Sequence, residues 1–191
     1  DGIRDHCVTG VQTCALPICG SITSDGSRFL ATTEQCLLNP NRNPALSKAE
    51  IEARLISELG LSEVIWLPHG LSLDDDTDGH VDNVAIFIAP GVMVVQGCAD
   101  RSQVDHERLS ENRRVAERFD ITIREVPVLP TTTYHGEKVQ VPYLNFYLVN
   151  GGAIVPVCGH PDDDEMLALL ADLDRKSTRL NSSHTVISYA V

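Results

Sequence analysis

Apolar and polar positions alternate along this chain at two different periods, and the switches between them recur at regular intervals. Short β-rich runs flank three turn signals. They are "SIT" and "RFLATT" around "SDGS" at 24–27, "VAIFIA" and "VMVVQ" around "APGV" at 89–92, and "LNFYLV" and "AIVPV" around "NGGA" at 150–153. Each reads as a β-hairpin, since glycine supplies the backbone angles a tight turn demands. The turn glycines Gly26, Gly91 and Gly152 lie 65 and 61 residues apart.

After each hairpin the period lengthens to that of a helix. "SKAEIEARLISELG" opens with Ser47 and Glu50 at capping-box spacing, carries Ile51, Leu55 and Leu59 on one face, and closes at Gly60. A second helix is expected around 104–119, with Val104, Leu109, Val115, Ala116 and Phe119 among many charges and an arginine-rich last turn. A third begins at Pro161, followed by four acidic residues at 162–165 and "MLALLADL". A further strand follows the first two helices, "EVIWL" and "ITIREV". The unit is therefore β-β-α-β, twice complete and once cut off after its helix. A unit of this kind buries its sheet face against neighbouring copies, which predicts an α/β array, radial or stacked.

The two ends depart from this pattern. "DGIRDHCVTGVQTCALPI" (1–18) and "DRKSTRLNSSHTVISYAV" (174–191) resemble adapter-derived sequence at the ends of translated metagenomic contigs. The expected organisation is a non-native leader over 1–18, one α/β segment over 19–173, and a non-native tail over 174–191. With 42% hydrophobic and 22% charged residues, the composition is that of a globular protein. The net charge of −12 disfavours a nucleic-acid partner and suits a cationic small molecule, or no charged ligand. Cys7, Cys14, Cys19, Cys36, Cys98 and Cys158 form no CxxC pair and read as reduced thiols. No apolar run has the length of a membrane span and no signal peptide is evident. A cytoplasmic protein without a membrane partner is expected.

The densest chemistry lies in "DDDTDGHVDN" at 74–83. Asp74, Asp76, Asp78 and Gly79 match the start of a calcium loop, but the twelfth position is Ala85 where a bidentate Glu belongs. A solvated acidic turn is the plainer alternative. The catalytic alternative reads "HVDNVAIFIA" as a strand with Val84, Ile86 and Ile88 on one face. His80 and Asp82 share that parity, about 6.6 Å apart along the strand. A carboxylate there matches the paired N–H donors of a guanidinium, and an imidazole transfers protons near neutrality. Among the remaining polar residues, Asn39, Asn41 and Asn43 read as loop ties, and Trp66 as core or the mouth of a site. Tyr143, Asn145 and Tyr147, alternating on a strand, read as core or pocket wall.

"TTEQCLLNPNRNPALSKAEIE", "VIWLPHGLSLDDDTDGHVDNVAIFIAPGV" and "YLNFYLVNGGAIVPVCGHPDDDEMLALL", in this order, resemble the agmatine and peptidyl-arginine deiminase family, and agmatine deiminases within it. The resemblance runs from about Gly20 to Leu173. It implies a pentein α/β-propeller of five β-β-α-β units, of which about two and a half would be present. It also implies hydrolysis of agmatine to N-carbamoylputrescine and ammonia in polyamine synthesis, with no metal or other cofactor, and leaves room for a homo-oligomer at full length. A cysteine attacks the guanidinium carbon, and water releases a thiouronium-type intermediate. By resemblance His80 is the general acid/base, Asp82 grips the guanidinium, and Asp76 faces the substrate's cationic end. The family's nucleophile sits in a glycine-rich "GGGNIHC"-like motif that nothing here matches. The second guanidinium-binding aspartate, of an arginine-aspartate-glycine type motif, is unmatched as well, since Arg4-Asp5 belongs to the suspect leader. Cys158 beside His160 reads as a structural strand-end residue rather than a substitute nucleophile. The expectation is a piece of a deiminase, inactive as given.

Overall fold

The computed structural model describes residues 19–149, 152–176 and 185–190. Strands β1 (Thr23–Ser24) and β2 (Phe29–Thr33) form the first hairpin, antiparallel, with Gly26 at φ +75° in the turn. The Asp25 carboxylate closes that turn by accepting the backbone N–H groups of Ser27, Arg28 and Phe29 at 2.8–2.9 Å. A four-residue helix, α1 (Glu34–Leu37), follows, its start capped by the Thr33 hydroxyl accepting from the Cys36 N–H. Helix α2 (Lys48–Leu59) has the complete Ser47–Glu50 capping box and ends on Gly60 at φ +67°. Strand β3 (Glu63–Leu67) then lies parallel to β2.

The second unit repeats this order. Strands β4 (Ala85–Ala89) and β5 (Val92–Gln96) pair antiparallel across Gly91, helix α3 (Asp105–Ala116) crosses over, and β6 (Thr122–Val126) runs parallel to β5. A hairpin without counterpart in the first unit comes next, β7 (Thr131–Tyr134) and β8 (Glu137–Gln140), turning through His135 and Gly136, both at positive φ. In the third unit, β9 (Tyr147–Val149) and β10 (Gly152–Val157) are antiparallel and α4 (Asp163–Lys176) follows. The turn residues Asn150 and Gly151 lie outside the described residues, as does the whole leader over 1–18.

The third unit is not cut off after its helix. Strand β11 (Thr185–Ala190) pairs parallel with β10 over six positions, as β3 does with β2 and β6 with β5. The segment 174–191, expected to be a non-native tail, thus supplies a strand at Thr185–Ala190. Three sheets of identical order result.

The pleat explains how the units stack. In β2 all five residues are buried, so both faces are covered. Leu30, Val64 and Trp66 face α2 through Ile51 and Leu55. Phe29, Ala31, Ile65 and Leu67 meet Ala85, Phe87, Met93 and Val95 of the second sheet, with Leu109 and Ala116 of α3 in the same cluster. The other face of the second sheet, through Ile86, Ile88, Val94 and Val126, meets Val155 of β10 and Met166, Leu170 and Leu173 of α4. At about 1.5–3 kcal/mol for each fully buried large aliphatic or aromatic side chain, the layers between units are main contributors to stability. Trp66 belongs to the outer layer, 7% exposed, with its Nε1–H donating to Glu52 at 2.8 Å. Tyr143 is fully buried and donates its hydroxyl to Asp163 at 2.7 Å. Neither Tyr143 nor Asn145 lies on a strand, and Tyr147, which does, is 72% exposed.

Candidate active site around His80 and Asp82

His80 and Asp82 do not sit on an extended strand. Residues Val81–Asn83 form a single 3-10 turn with His80 at its start, and the Val84 N–H donates to the Val81 carbonyl at 2.9 Å. The strand begins only at Ala85. This shifts the register, so Val84 packs with Ala85 and Phe87 rather than with Ile86 and Ile88. The cause is a polar one. Asp74 Oδ2 accepts both the His80 N–H at 3.1 Å and the Asn83 Nδ2–H at 2.8 Å, drawing the two residues toward one point. Its Oδ1 accepts from the N–H and hydroxyl of Thr77. Asp78 and Gly79, at φ +59° and +84°, turn the chain sharply into His80.

This loop is held from several directions. Asp78 receives Arg42 Nε at 2.9 Å and Asn39 Nδ2 at 3.1 Å, while Arg42 Nη2 donates to the Thr77 carbonyl at 2.9 Å. The Thr33 hydroxyl donates to the Gly79 carbonyl. Upstream, the buried Asp105 carboxylate takes the Ser72 N–H at 2.8 Å, and Asn112 accepts from and donates to the His69 backbone. Asn145 Nδ2 donates to Asn83 Oδ1 at 3.0 Å, tying the third unit to the same turn.

The 3-10 turn brings the two side chains together after all. Both pack against Gly20: a Cβ built there would fall on the Asp82 carboxylate and 2.7 Å from His80 Nδ1. Among the described residues, the opposite atoms of each group, His80 Nε2 and Asp82 Oδ1, are buried without a hydrogen-bond partner, as is the hydroxyl of Ser21 next to Gly20. Buried polar atoms are rarely left this way, and such orphans mark a place prepared for a ligand or water. Burial, and then the positive charge of Arg42, hold the His80 imidazole below its ordinary proton affinity, against the opposing charges of Asp74 and Asp78. Burial and the charge of Asp74 push the Asp82 carboxyl up to about 6, against backbone N–H groups that favour the anion. A neutral imidazole beside a carboxylate that is costly to ionise is a pair suited to taking up a cation and moving a proton.

The other residues singled out in the sequence fall elsewhere. Asp76 is exposed and forms no hydrogen bond or ion pair among the described residues. Asp74, not Asp76, is the acidic residue turned toward His80. The calcium reading finds no support. Asp74 and Asp78 direct their carboxylates to different protein partners, and among the described residues no group of three or more His, Cys, Asp or Glu side chains converges to hold an ion. The Cys158 thiol is met by the backbone of His160, yet burial and the charge of Asp163 raise it. The Cys36 thiol is pushed up to about 11, chiefly by burial, and donates to the Thr77 carbonyl at 3.8 Å. Sequence reasoning missed Asp74 as an organiser and Gly20 and Ser21 altogether. Asp74 carries a signal, since an aspartate opening a polar turn tends to accept from backbone N–H groups downstream. Gly20 carries none.

The family model of the Porphyromonas-type peptidyl-arginine deiminases matches residues 12–183. The chain belongs to that family. Among its relatives, the agmatine deiminase of Medicago truncatula is 38% identical over 177 residues, covering 80% of this chain and 47% of that protein. The agmatine deiminase of Stutzerimonas stutzeri is 35% identical over 178 residues, covering 81% and 48%. The solved structure of a variant of C. Jejuni agmatine deiminase with substrate bound superposes with a TM-score of 0.79 at 28% identity, covering 88% of this chain and 49% of that one. The chain thus spans about half the length of the deiminases it matches and shares their α/β fold. Among the described residues, no helix of this deiminase-family chain is long and apolar enough to cross a membrane.

Proposed function

We propose that this chain forms part of a deiminase that hydrolyses agmatine to N-carbamoylputrescine and ammonia. The observation that carries the reading is the buried pair of His80 Nε2 and Asp82 Oδ1, unpartnered among the described residues, in a chain of this family. A planar guanidinium brings N–H donors to the Asp82 carboxylate, in the paired geometry that carboxylates accept best. His80, neutral near pH 7, takes a proton and returns it to the departing nitrogen. Asp76, exposed on the same loop, faces the cationic tail of a bound substrate.

The attacking thiolate is assigned to the part of the full-length protein beyond this segment. The described thiols Cys36, Cys98 and Cys158 are all shifted upward by burial, the opposite of an activated nucleophile. In the balanced sequence, the thiolate adds to the guanidinium carbon, His80 delivers its proton to the departing amino nitrogen, and the C–N bond breaks to release ammonia. Water, deprotonated by His80, then displaces sulfur to leave the urea-type product. On its own, this chain is expected to be inactive.

The three like-ordered sheets support a further reading, that these units are blades of a pentein propeller of five. Each of the first two sheets buries one face against the following unit, a relation that closes only in a ring or continues as an array. The test of function uses the full-length protein. It is expected to release ammonia from agmatine, and His80→Ala to abolish that release; undiminished turnover in the variant rejects the assignment. The family's name favours a second substrate, peptidyl-arginine, and an arginine-containing peptide offered in competition separates the two.

A further inference from the structure

We propose that Gly20 is a positioning residue of the guanidinium site. Its bare α-carbon is the backstop that sets the directions of the His80 and Asp82 side chains. The inference rests on the agmatine reading for its functional consequence, but not for its geometry.

Three observations carry it. First, the nearest atoms to the place of a Gly20 side chain come from both groups: His80 Nδ1 at 2.7 Å, and Oδ2 and Cγ of the Asp82 carboxylate. Both groups therefore press against the same point of backbone. Second, the other member of each group, His80 Nε2 and Asp82 Oδ1, is buried and without a partner among the described residues. Packing one edge against Gly20 turns the other edge away from it, so the backstop and the presentation of the free atoms are one arrangement. Third, Gly20 does not adopt a left-handed backbone angle, unlike Gly60, Gly79 and Gly91. An alanine there meets no backbone strain. The requirement for glycine is set by its nearest neighbours, those two side chains, a reason of space rather than conformation.

The segment Cys19–Ser21 is a single 3-10 turn, packed on the Val81–Asn83 turn. The Ser21 carbonyl accepts from the buried Thr32 hydroxyl at 2.8 Å, which anchors the segment to β2. The backstop is thus fixed to the first sheet, while the loop carrying His80 is fixed through Asp74 and Asp78. A methyl group added at position 20 must displace the ring, the carboxylate or both, because the contact lies well inside the distance at which a carbon can rest. Held away from Gly20, His80 gains water and loses the burial that depresses its proton affinity.

The experiment is Gly20→Ala, read in three ways. In this chain, the titration of the His80 ring followed by NMR is expected to move upward toward the ordinary histidine range. In the full-length protein, turnover of agmatine is expected to fall at least tenfold in kcat with a smaller change in KM, since the reacting groups are misaligned while most substrate contacts remain. Unchanged His80 titration and unchanged kcat overturn the proposal. A shifted titration in the variant, with a wild-type full-length protein that does not act on agmatine, sinks the functional reading and leaves the backstop standing. Should Gly20→Ala fail to fold, the triple variant with His80→Ala and Asp82→Ala decides. Recovery of the fold there locates the collision at this pair, whereas continued failure shows that the glycine serves something else.

Discussion

Asp82→Asn should make the fold more stable while removing its affinity for a guanidinium cation. The Asp82 carboxyl is raised from 3.8 to about 6 by burial first and the charge of Asp74 second. At about 1.4 kcal/mol for each pH unit between those values, ionised Asp82 costs the native state about 3 kcal/mol at neutral pH. The site is only partly enclosed and water screens some of this, so about 1–2 kcal/mol is the expected gain for asparagine. The sign follows from the direction of the shift. A group whose folded value lies above its unfolded one favours the fold fully below pH 3.8 and loses that contribution as pH rises through about 6. The stability difference between Asp82→Asn and the parent should open between those limits and stay constant above pH 7. Urea melts of both proteins from pH 4 to 8 measure it, and in thermal melts near neutrality the variant should unfold about 2–8 °C higher. Titration calorimetry with agmatine on the full-length pair then tests the lost affinity. A variant no more stable at pH 7.5 than the parent, or a difference that ignores pH, refutes the claim that this carboxylate is held ready for a cation.

Two further perturbations probe the supports of the site. Arg42→Ala removes the ion pair to Asp78 and the hydrogen bond to the Thr77 carbonyl, both partly buried, and should cost about 2–3 kcal/mol in a urea melt. Because Arg42 helps hold His80 down, the same variant should raise the His80 midpoint in an NMR titration. Asp25→Asn tests the first turn. Burial pushes that carboxyl up, yet backbone N–H groups of Ser27, Arg28 and Phe29 together hold it at about 2. Its contribution is present above pH 3.8 and lost as pH falls toward 2, so the parent but not the variant should lose stability from this source over that acid range. At neutral pH the variant should be about 1–3 kcal/mol weaker by denaturation.

Where a segment's structure follows from its own residues, the sequence announced it. Ser47, Glu50 and Gly60 carry both ends of α2 within themselves, and the near-continuous burial of Phe29–Thr33 and Val92–Gln96 reflects β-rich runs that pack on layers at both faces. The β7–β8 hairpin was invisible because Thr131–Tyr134 and Glu137–Gln140 are polar on both faces, leaving only the His135-Gly136 turn as a cue. Helix α1 is a single turn, too short for any period to show. Strand β11 hid for another reason: "TVISYA" has strand character, but it lies in a segment whose overall composition is unlike the rest.

The site itself shows why pattern fails where chemistry begins. Alternation of His80, Asp82 and Val84 gives the right partners through the wrong geometry, because parity counts residues and knows nothing of Asp74. One carboxylate oxygen accepting both the His80 N–H and the Asn83 amide is enough to replace an extended backbone with a 3-10 turn and slip the following strand by one position. Gly20 lies sixty residues from His80, and its part depends on having no side chain, so nothing in its local sequence could disclose it. Elements that bury apolar surface are specified locally and redundantly, many residues voting for one period. A pair of unsatisfied polar atoms is specified by a few long-range contacts, each of which changes the outcome alone. For that reason substitutions at Asp74 or Gly20 should disturb the His80–Asp82 pair more than any single change within the apolar layers that carry the sheets.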